Sequence, residues 1–140
     1  MPSRSEPEAL PDPLPIRPRG ALAACVRVPG SKSLTNRALV AAALASGESR
    51  LEGGLRSDDT QVMLESLRAL GCRIEIGTDA WRIVGRAGRL ASPTAPLFAG
   101  NSGTTARFLT AAATLADGPV VIDGSARMRS GRRKDFEKQL

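Results

Sequence analysis

Two glycine-rich stretches carry the side chains best suited to chemistry, and each stands directly before an alanine-rich run. The first reads "PGSKSLTNRAL" from residue 29, and the second reads "GNSGTTARFL" from residue 100. The N–H groups in the first turn of a helix have no intrahelical acceptor, and the helix dipole adds positive potential there. Glycine at such a turn lets a ligand approach the backbone closely. Each stretch therefore predicts a binding site for a phosphate or carboxylate group.

Side chains of the first stretch strengthen this prediction. Ser33 and Arg37 are four residues apart, so a hydroxyl and a guanidinium share one helix face. Arg37 offers a planar fork suited to phosphate or carboxylate, and Lys32 adds a mobile point charge. The stretch is not a Walker-type phosphate loop, because Ser31 separates Gly30 from Lys32. A serine cap near an arginine also occurs in helices without a ligand, so this stretch alone leaves both interpretations open.

The second stretch repeats the first at an offset of 70 residues. Glycine, threonine, arginine and alanine positions all agree: Gly30 with Gly100, Thr35 with Thr105, Arg37 with Arg107, and 41–43 with 111–113. Internal repetition of this kind indicates copies of one supersecondary unit that pack against each other. Chance similarity between two alanine-rich helices is the alternative. Two such loops would give one site with two anion pockets, suited to a pair of substrates that carry phosphates or carboxylates.

The elements that must hold these loops are predicted from periodicity and from glycine and proline stops. The expected order is a strand at "ACVRV", a helix over 33–46, a strand at "SRLEG", a helix ending at Leu70, and two antiparallel strands at "CRIEIG" and "WRIVG". This is a βαβαββ unit of about 60 residues. The second unit begins near residue 100 and is incomplete. The expected fold class is α/β (α+β), with one complete βαβαββ repeat and part of a second.

Two acidic residues at the start of the second helix have two possible roles. Asp58 or Ser57 is expected to cap this helix, and Asp59 lies in the same turn. Alternatively, these carboxylates are charge partners for Lys32. The apolar face of the helix is expected at Met63, Leu67 and Leu70, which recur at helical spacing.

Composition limits the class of partner. The chain has 140 residues, of which 41% are hydrophobic but only 3% aromatic, so an aliphatic core is expected. The net charge is +6, but the 17 arginines are scattered and Trp81 is the only tryptophan. Nucleic-acid binding favours clustered charge with stacking aromatics, so no nucleic-acid partner is expected. Cys25 and Cys72 are expected to be reduced core residues rather than disulfide partners or metal ligands.

No membrane partner is expected either. The first 20 residues hold six of the ten prolines and no apolar signal segment, and no apolar run reaches 18 residues. The expected location is the cytoplasm.

Both glycine-rich stretches closely resemble signatures of the 5-enolpyruvylshikimate-3-phosphate synthase family of the shikimate pathway. "SDDTQVMLESLRALG" and "GSARMR" are similar to further family segments, and the resemblance extends from about Leu14 to Arg129. It implies two similar domains, each of three βαβαββ units with helices inward. It also implies transfer of the enolpyruvyl group of phosphoenolpyruvate to the 5-hydroxyl of shikimate 3-phosphate, with release of phosphate. No metal or organic cofactor is implied, and family members are usually monomeric.

The resemblance also implies six substrate-binding residues: Lys32, Ser33, Arg37, Asn101, Gly103 and Thr104. Lys32 would touch both substrates, and Ser33 and Arg37 would hold shikimate 3-phosphate. Gly103 would contact phosphoenolpyruvate through its backbone, with Asn101 and Thr104 lining the same loop. No catalytic residue is expected in this chain, because the family's general base lies in later repeats.

The end of the chain departs from the family pattern. The family reads Arg-Met-(Lys/Arg)-Glu-Arg-Pro where this chain reads "RMRSGR", which puts Gly131 at the position of a phosphoenolpyruvate-binding arginine. The expected division is therefore a proline-rich extended segment (1–20), a partial N-terminal enolpyruvyl transferase domain (21–129) and a tail outside the family (130–140). The resulting hypothesis is a fragment of the enzyme, inactive alone and prone to self-association. A non-catalytic anion-binding module or a decayed fragment is the alternative.

Overall fold

A computed structural model describes residues 12–15, 20, 21 and 23–130. The elements in chain order are α1 (Lys32–Leu44), β1 (Glu48–Glu52), α2 (Asp58–Ala69), β2 (Arg73–Ile76), β3 (Ala80–Val84), β4 (Leu97–Phe98), α3 (Gly103–Ala113) and β5 (Ile122–Asp123). Strands β1, β3 and β2 form an antiparallel sheet in that order, and β4 pairs with β5 in parallel. The mixed helices and strands confirm the α/β fold class.

Helix α2 forms where its local signals predict it. The Ser57 side chain accepts from the backbone N–H of Thr60, and the Thr60 hydroxyl accepts from that of Ser57, which closes a capping box. The cap is therefore Ser57, and the alternative that Asp58 caps this helix is wrong. The predicted apolar face is fully buried, and Gly71 ends the helix with φ of +91°.

The strand predicted at 24–28 does not form, and residues 23–29 are exposed without regular structure. The second unit shows what such a strand requires, because the N–H of Ala99 donates to the carbonyl of Asp123 (2.7 Å) and joins β4 to β5. At the offset of 70 residues, Pro29 stands where Ala99 does, and proline has no N–H to donate. Val26 and Val28 are each 77% exposed. The first unit, as described, is αβαββ rather than a complete βαβαββ repeat.

The three helices pack on one another, and α1 also packs on β1 and β3. The largest fully buried apolar side chains come from the three helices, from β3 and from the segments between elements. They are Leu39, Met63, Leu67, Leu70, Ile83, Leu90 and Leu109. Trp81 is the one large aromatic among the buried core residues that the structure describes. The core is aliphatic, as predicted from composition.

The two cysteines lie in different surroundings. Cys72 is buried at the start of the hairpin, and Cys25 is exposed. The expectation that both cysteines lie in the core is therefore wrong for Cys25, which falls in the segment that does not pair.

This difference predicts unequal thiol reactivity. The thiolate is the reactive form, and burial raises the pKa of the Cys72 thiol as well as restricting access to it. We expect a thiol reagent at pH 8 to modify Cys25 rapidly and Cys72 only when the protein unfolds. Mass spectrometry of timed samples, with and without denaturant, measures both rates. Rapid modification of both thiols in native buffer would contradict the described core.

Candidate anion-binding site

The first loop places three of the predicted side chains in the first two turns of α1. The Ser31 side chain accepts from the N–H of Leu34, so α1 begins at Lys32, one residue earlier than predicted. Nη1 of Arg37 donates to the Ser33 carbonyl (3.1 Å) and to the Ser33 hydroxyl. The predicted shared face of Ser33 and Arg37 is thus confirmed. Both residues are exposed, so further guanidinium N–H groups are open to a ligand.

Lys32 is anchored by a carboxylate from the next helix. Its Nζ lies 2.8 Å from Oδ2 of Asp59, with the two side chains 55% and 26% exposed. This contact confirms the alternative in which Asp59 is a charge partner for Lys32. Partly exposed ion pairs contribute only about 0–1 kcal/mol, and an ammonium has three donors. The pair therefore holds Lys32 in place and still leaves it able to bind an anion.

The second loop places its backbone at the start of α3. The Ser102 side chain accepts from the N–H of Thr105 (3.2 Å) and caps the helix, and Gly103 is its first residue. A Cβ atom on Gly103 would meet nothing within 4 Å, so the space around this residue is open. Thr104 beside it is exposed. Asn101 instead accepts a hydrogen bond from the Ser125 hydroxyl, which gives it a structural partner within the protein.

A further ion pair joins Arg129, in the segment that follows β5, to Asp123 in β5. Nε and Nη2 of Arg129 donate to the two carboxylate oxygens of Asp123, at 2.8 and 2.6 Å. These hydrogen bonds hold the pKa of the Asp123 carboxyl below its usual value. The second arginine of the "GSARMR" segment, Arg129, is thereby bound to β5, which pairs with the strand that precedes the second loop.

Buried threonines bring the N-termini of all three helices together. The Thr35 hydroxyl accepts from the N–H of Leu55 (3.0 Å), and the Thr60 hydroxyl donates to the Leu55 carbonyl (2.8 Å). These bonds join α1 to α2. The Thr105 hydroxyl donates to the Asp59 carbonyl at 3.5 Å, which joins α3 to α2. Since a helix N-terminus carries positive potential, the meeting of three favours bound anions.

Two contacts between α1 and α3 were not anticipated from the sequence. The guanidinium carbon of Arg37 lies 5.7 Å from the ring centroid of Phe108, a cation–π distance. Nδ2 of Asn36 lies 3.5 Å from Oγ1 of Thr105. Asn36 is a polar residue within an alanine- and leucine-rich helix, and this could have indicated a buried polar contact. No local pattern distinguishes Phe108 from an ordinary core residue.

Other features of the described residues lie outside this site. A cleft of about 360 Å³ between α2 and residues 92–98 contains none of the predicted site residues. Within residues 12–15, 20, 21 and 23–130, no cluster of His, Cys, Asp and Glu could hold a metal ion. No helix in that part of the chain is both long and apolar enough to cross a membrane.

Repeated α/β units, with a lysine, an arginine and open backbone N–H groups at helix N-termini, form a domain of a class suited to binding small anions. The chain belongs to the EPSP synthase (3-phosphoshikimate 1-carboxyvinyltransferase) family, whose model matches residues 16–131.

Individual relatives give the extent of the similarity. The 3-phosphoshikimate 1-carboxyvinyltransferase of Rhizobium leguminosarum bv. trifolii (strain WSM2304) is 54% identical over 114 residues, which cover 81% of this chain and 27% of the relative. That of Pseudomonas savastanoi pv. phaseolicola is 50% identical over 104 residues, 74% of this chain and 25% of the relative. The solved EPSP synthase from Acinetobacter baumannii aligns with a TM-score of 0.67 and 31% identity, covering 72% of this chain and 23% of that one. The chain thus spans about a quarter of the length of these relatives.

Proposed function

We propose that the chain is the N-terminal portion of an enzyme that transfers the enolpyruvyl group of phosphoenolpyruvate to the 5-hydroxyl of shikimate 3-phosphate, releasing phosphate. Family membership supports the reaction class, and coverage of about a quarter of the relatives supports the assignment as a portion. The observation that carries the proposal is the meeting of both glycine-rich loops at Asp59, which binds Lys32 and contacts Thr105. We place the enzyme in the cytoplasm and assign it no cofactor.

Each of the two loops binds a different part of the substrate pair. Arg37 and Ser33 form one anion-binding subsite, because the guanidinium and hydroxyl lie together on the exposed face of α1. Gly103 offers its N–H from an open helix N-terminus, which suits the close approach of phosphoenolpyruvate. Lys32 of the first loop pairs with Asp59, whose backbone carbonyl contacts Thr105 of the second loop, and this contact supports the proposal that its ammonium touches both substrates. Thr104 and Asn101 line the second loop, and Asn101 contributes mainly by holding Ser125.

The described residues bind and orient substrates but offer little for proton transfer. Asp59 contacts both loops, through its backbone carbonyl to Thr105 and through its carboxylate to Lys32, so that carboxylate is already paired. This observation also supports the alternative, a non-catalytic anion-binding module or a decayed fragment. We propose that residues outside this chain supply the acid–base groups.

Exposed apolar side chains support self-association of the chain. Apolar residues that are more than half exposed include Val26, Val28, Phe98 and Val121. Phe98 lies in β4, and Val121 directly precedes β5. Exposed apolar surface and open sheet edges favour contacts between chains.

Titration of shikimate 3-phosphate into the chain tests the proposed binding. We expect weak, saturable binding that weakens further as salt is added, because the contacts are between exposed charges. Calorimetry at two salt concentrations measures it, and shikimate without the phosphate is the matched control ligand. Equal responses to the two ligands would refute the binding of the phosphate group at this site.

The division of the chain at residues 20 and 129 remains a proposal. Residues 131–140 and most of the first 22 lie outside the described part of the structure. Sequencing the locus beyond codon 140 distinguishes the two functions. Remaining repeats downstream, in the same or another reading frame, would support the enzyme, and their absence would support the module or decayed fragment.

A further inference from the structure

Asn36 is a buried amide in the second turn of α1, and its side chain is 1% exposed. Its Nδ2 reaches Oγ1 of Thr105, but Oδ1 has no hydrogen-bond partner among the described residues. A buried amide oxygen without a partner destabilises the fold, whereas an apolar side chain of similar size would not. The chain therefore carries a polar group where packing alone favours leucine.

The contact made by Asn36 lies at the junction of the two loops. Oγ1 of Thr105 also lies 2.8 Å from the hydroxyl of Ser102, the residue that caps α3. The same Thr105 oxygen contacts the carbonyl of Asp59, whose carboxylate holds Lys32. The Asn36 amide on α1 thus contacts the Thr105 hydroxyl, which joins the start of α3 to α2.

We propose that Asn36 is a positioning residue that sets the spacing between the first and second loops, so that both anionic substrates are bound together. The inference rests on the proposed function for the identity of the substrates. Asn36 is buried beneath the loops and acts through Thr105, without touching either substrate. Its loss should leave each loop able to bind its own anion. It should reduce the degree to which one bound substrate strengthens binding of the other.

Asn36→Leu in the 140-residue chain tests this role. We expect its melting temperature to be unchanged or raised, because the unpartnered oxygen is removed. We expect the backbone amide resonances of Gly103 and Thr104 to shift in the ligand-free protein. In the unmodified chain, saturating phosphoenolpyruvate should tighten binding of shikimate 3-phosphate by about fivefold or more, which is a typical coupling. In the variant, phosphoenolpyruvate should leave the affinity for shikimate 3-phosphate unchanged.

Two further variants separate positioning from packing. Thr105→Val removes the hydroxyl that Asn36 contacts, so it should reproduce the amide shifts, and the double variant should add little. Leu39→Ala, one turn further along α1 and fully buried, should lower the melting temperature but leave the Gly103 and Thr104 resonances in place.

The opposite pattern overturns the proposal. If Asn36→Leu lowers the melting temperature as Leu39→Ala does, and leaves the second-loop resonances unmoved, Asn36 is an ordinary packing residue. If the unmodified chain binds both substrates without coupling, the proposal also fails. If the chain binds neither substrate, the proposed function fails, and the resonance shifts still decide whether Asn36 sets the loop spacing.

Discussion

A polypeptide of these 140 residues is expected to release no more phosphate from phosphoenolpyruvate and shikimate 3-phosphate than its Lys32→Ala variant does. The reason is that Asp59, whose backbone carbonyl contacts Thr105 of the second loop, has its carboxylate already paired with Lys32 of the first. General acid–base groups typically contribute about 10²–10⁴-fold each, and closure of a site around its substrates adds to this by excluding water. A phosphate-release assay with both substrates measures the rate.

The variant supplies the background for this assay, because it removes the one residue proposed to touch both substrates. A full-length relative serves as the positive control. Turnover by the chain that exceeds the Lys32→Ala background would show that these residues suffice for catalysis, and the assignment of acid–base groups to residues outside the chain would be wrong.

The second large effect is expected on binding. Arg37→Ala should weaken binding of shikimate 3-phosphate by about 10- to 100-fold, because hydrogen bonds to charged groups contribute about 1.5–3 kcal/mol and 1.4 kcal/mol is tenfold. Ser33 and Phe108 both contact Arg37 and hold its side chain in place. Binding of the ligand therefore costs little side-chain conformational entropy at this residue. Calorimetric titration of the two proteins measures the difference.

Arg73→Ala is the matched control, since Arg73 is an exposed arginine on β2, at the sheet edge away from β1. It should change the affinity by less than about twofold, as expected of a distant exposed charge. Arg68 is a poorer control, because its Nη2 donates to the Ile74 carbonyl at 2.8 Å and helps to hold the hairpin. Superimposable titration curves for Arg37→Ala and Arg73→Ala would refute the assignment of Arg37.

Elements with complete local signals were predictable from the sequence. Helix α2 has its cap at Ser57, an apolar face at helical spacing and a stop at Gly71, and all three lie within 15 residues of chain. The β2–β3 hairpin follows from two alternating runs around a short turn, and it forms as predicted. The shared face of Ser33 and Arg37 follows from helical spacing in the same way.

Features that depend on distant partners were not predictable. Residues 24–28 alternate like a strand, but a strand also needs a neighbour, and Pro29 cannot donate the bond that Ala99 donates in the second unit. The role of Asp59 was ambiguous, because an acidic residue in a first turn satisfies both a capping role and a charge-pairing role. Only the approach of α1 and α2 decides between them.

The threonine and asparagine contacts that join the three helices have a consequence for folding kinetics. They connect residues that are 20, 46 and 69 positions apart in the chain. Contacts of high sequence separation require closure of long loops and form slowly, whereas a helix with its own cap forms from local interactions. We therefore expect the proposed anion site to be among the last parts of the molecule to assemble. A ligand that binds only the assembled site would stabilise that state, so we expect ligand binding and the final step of folding to be linked in one equilibrium.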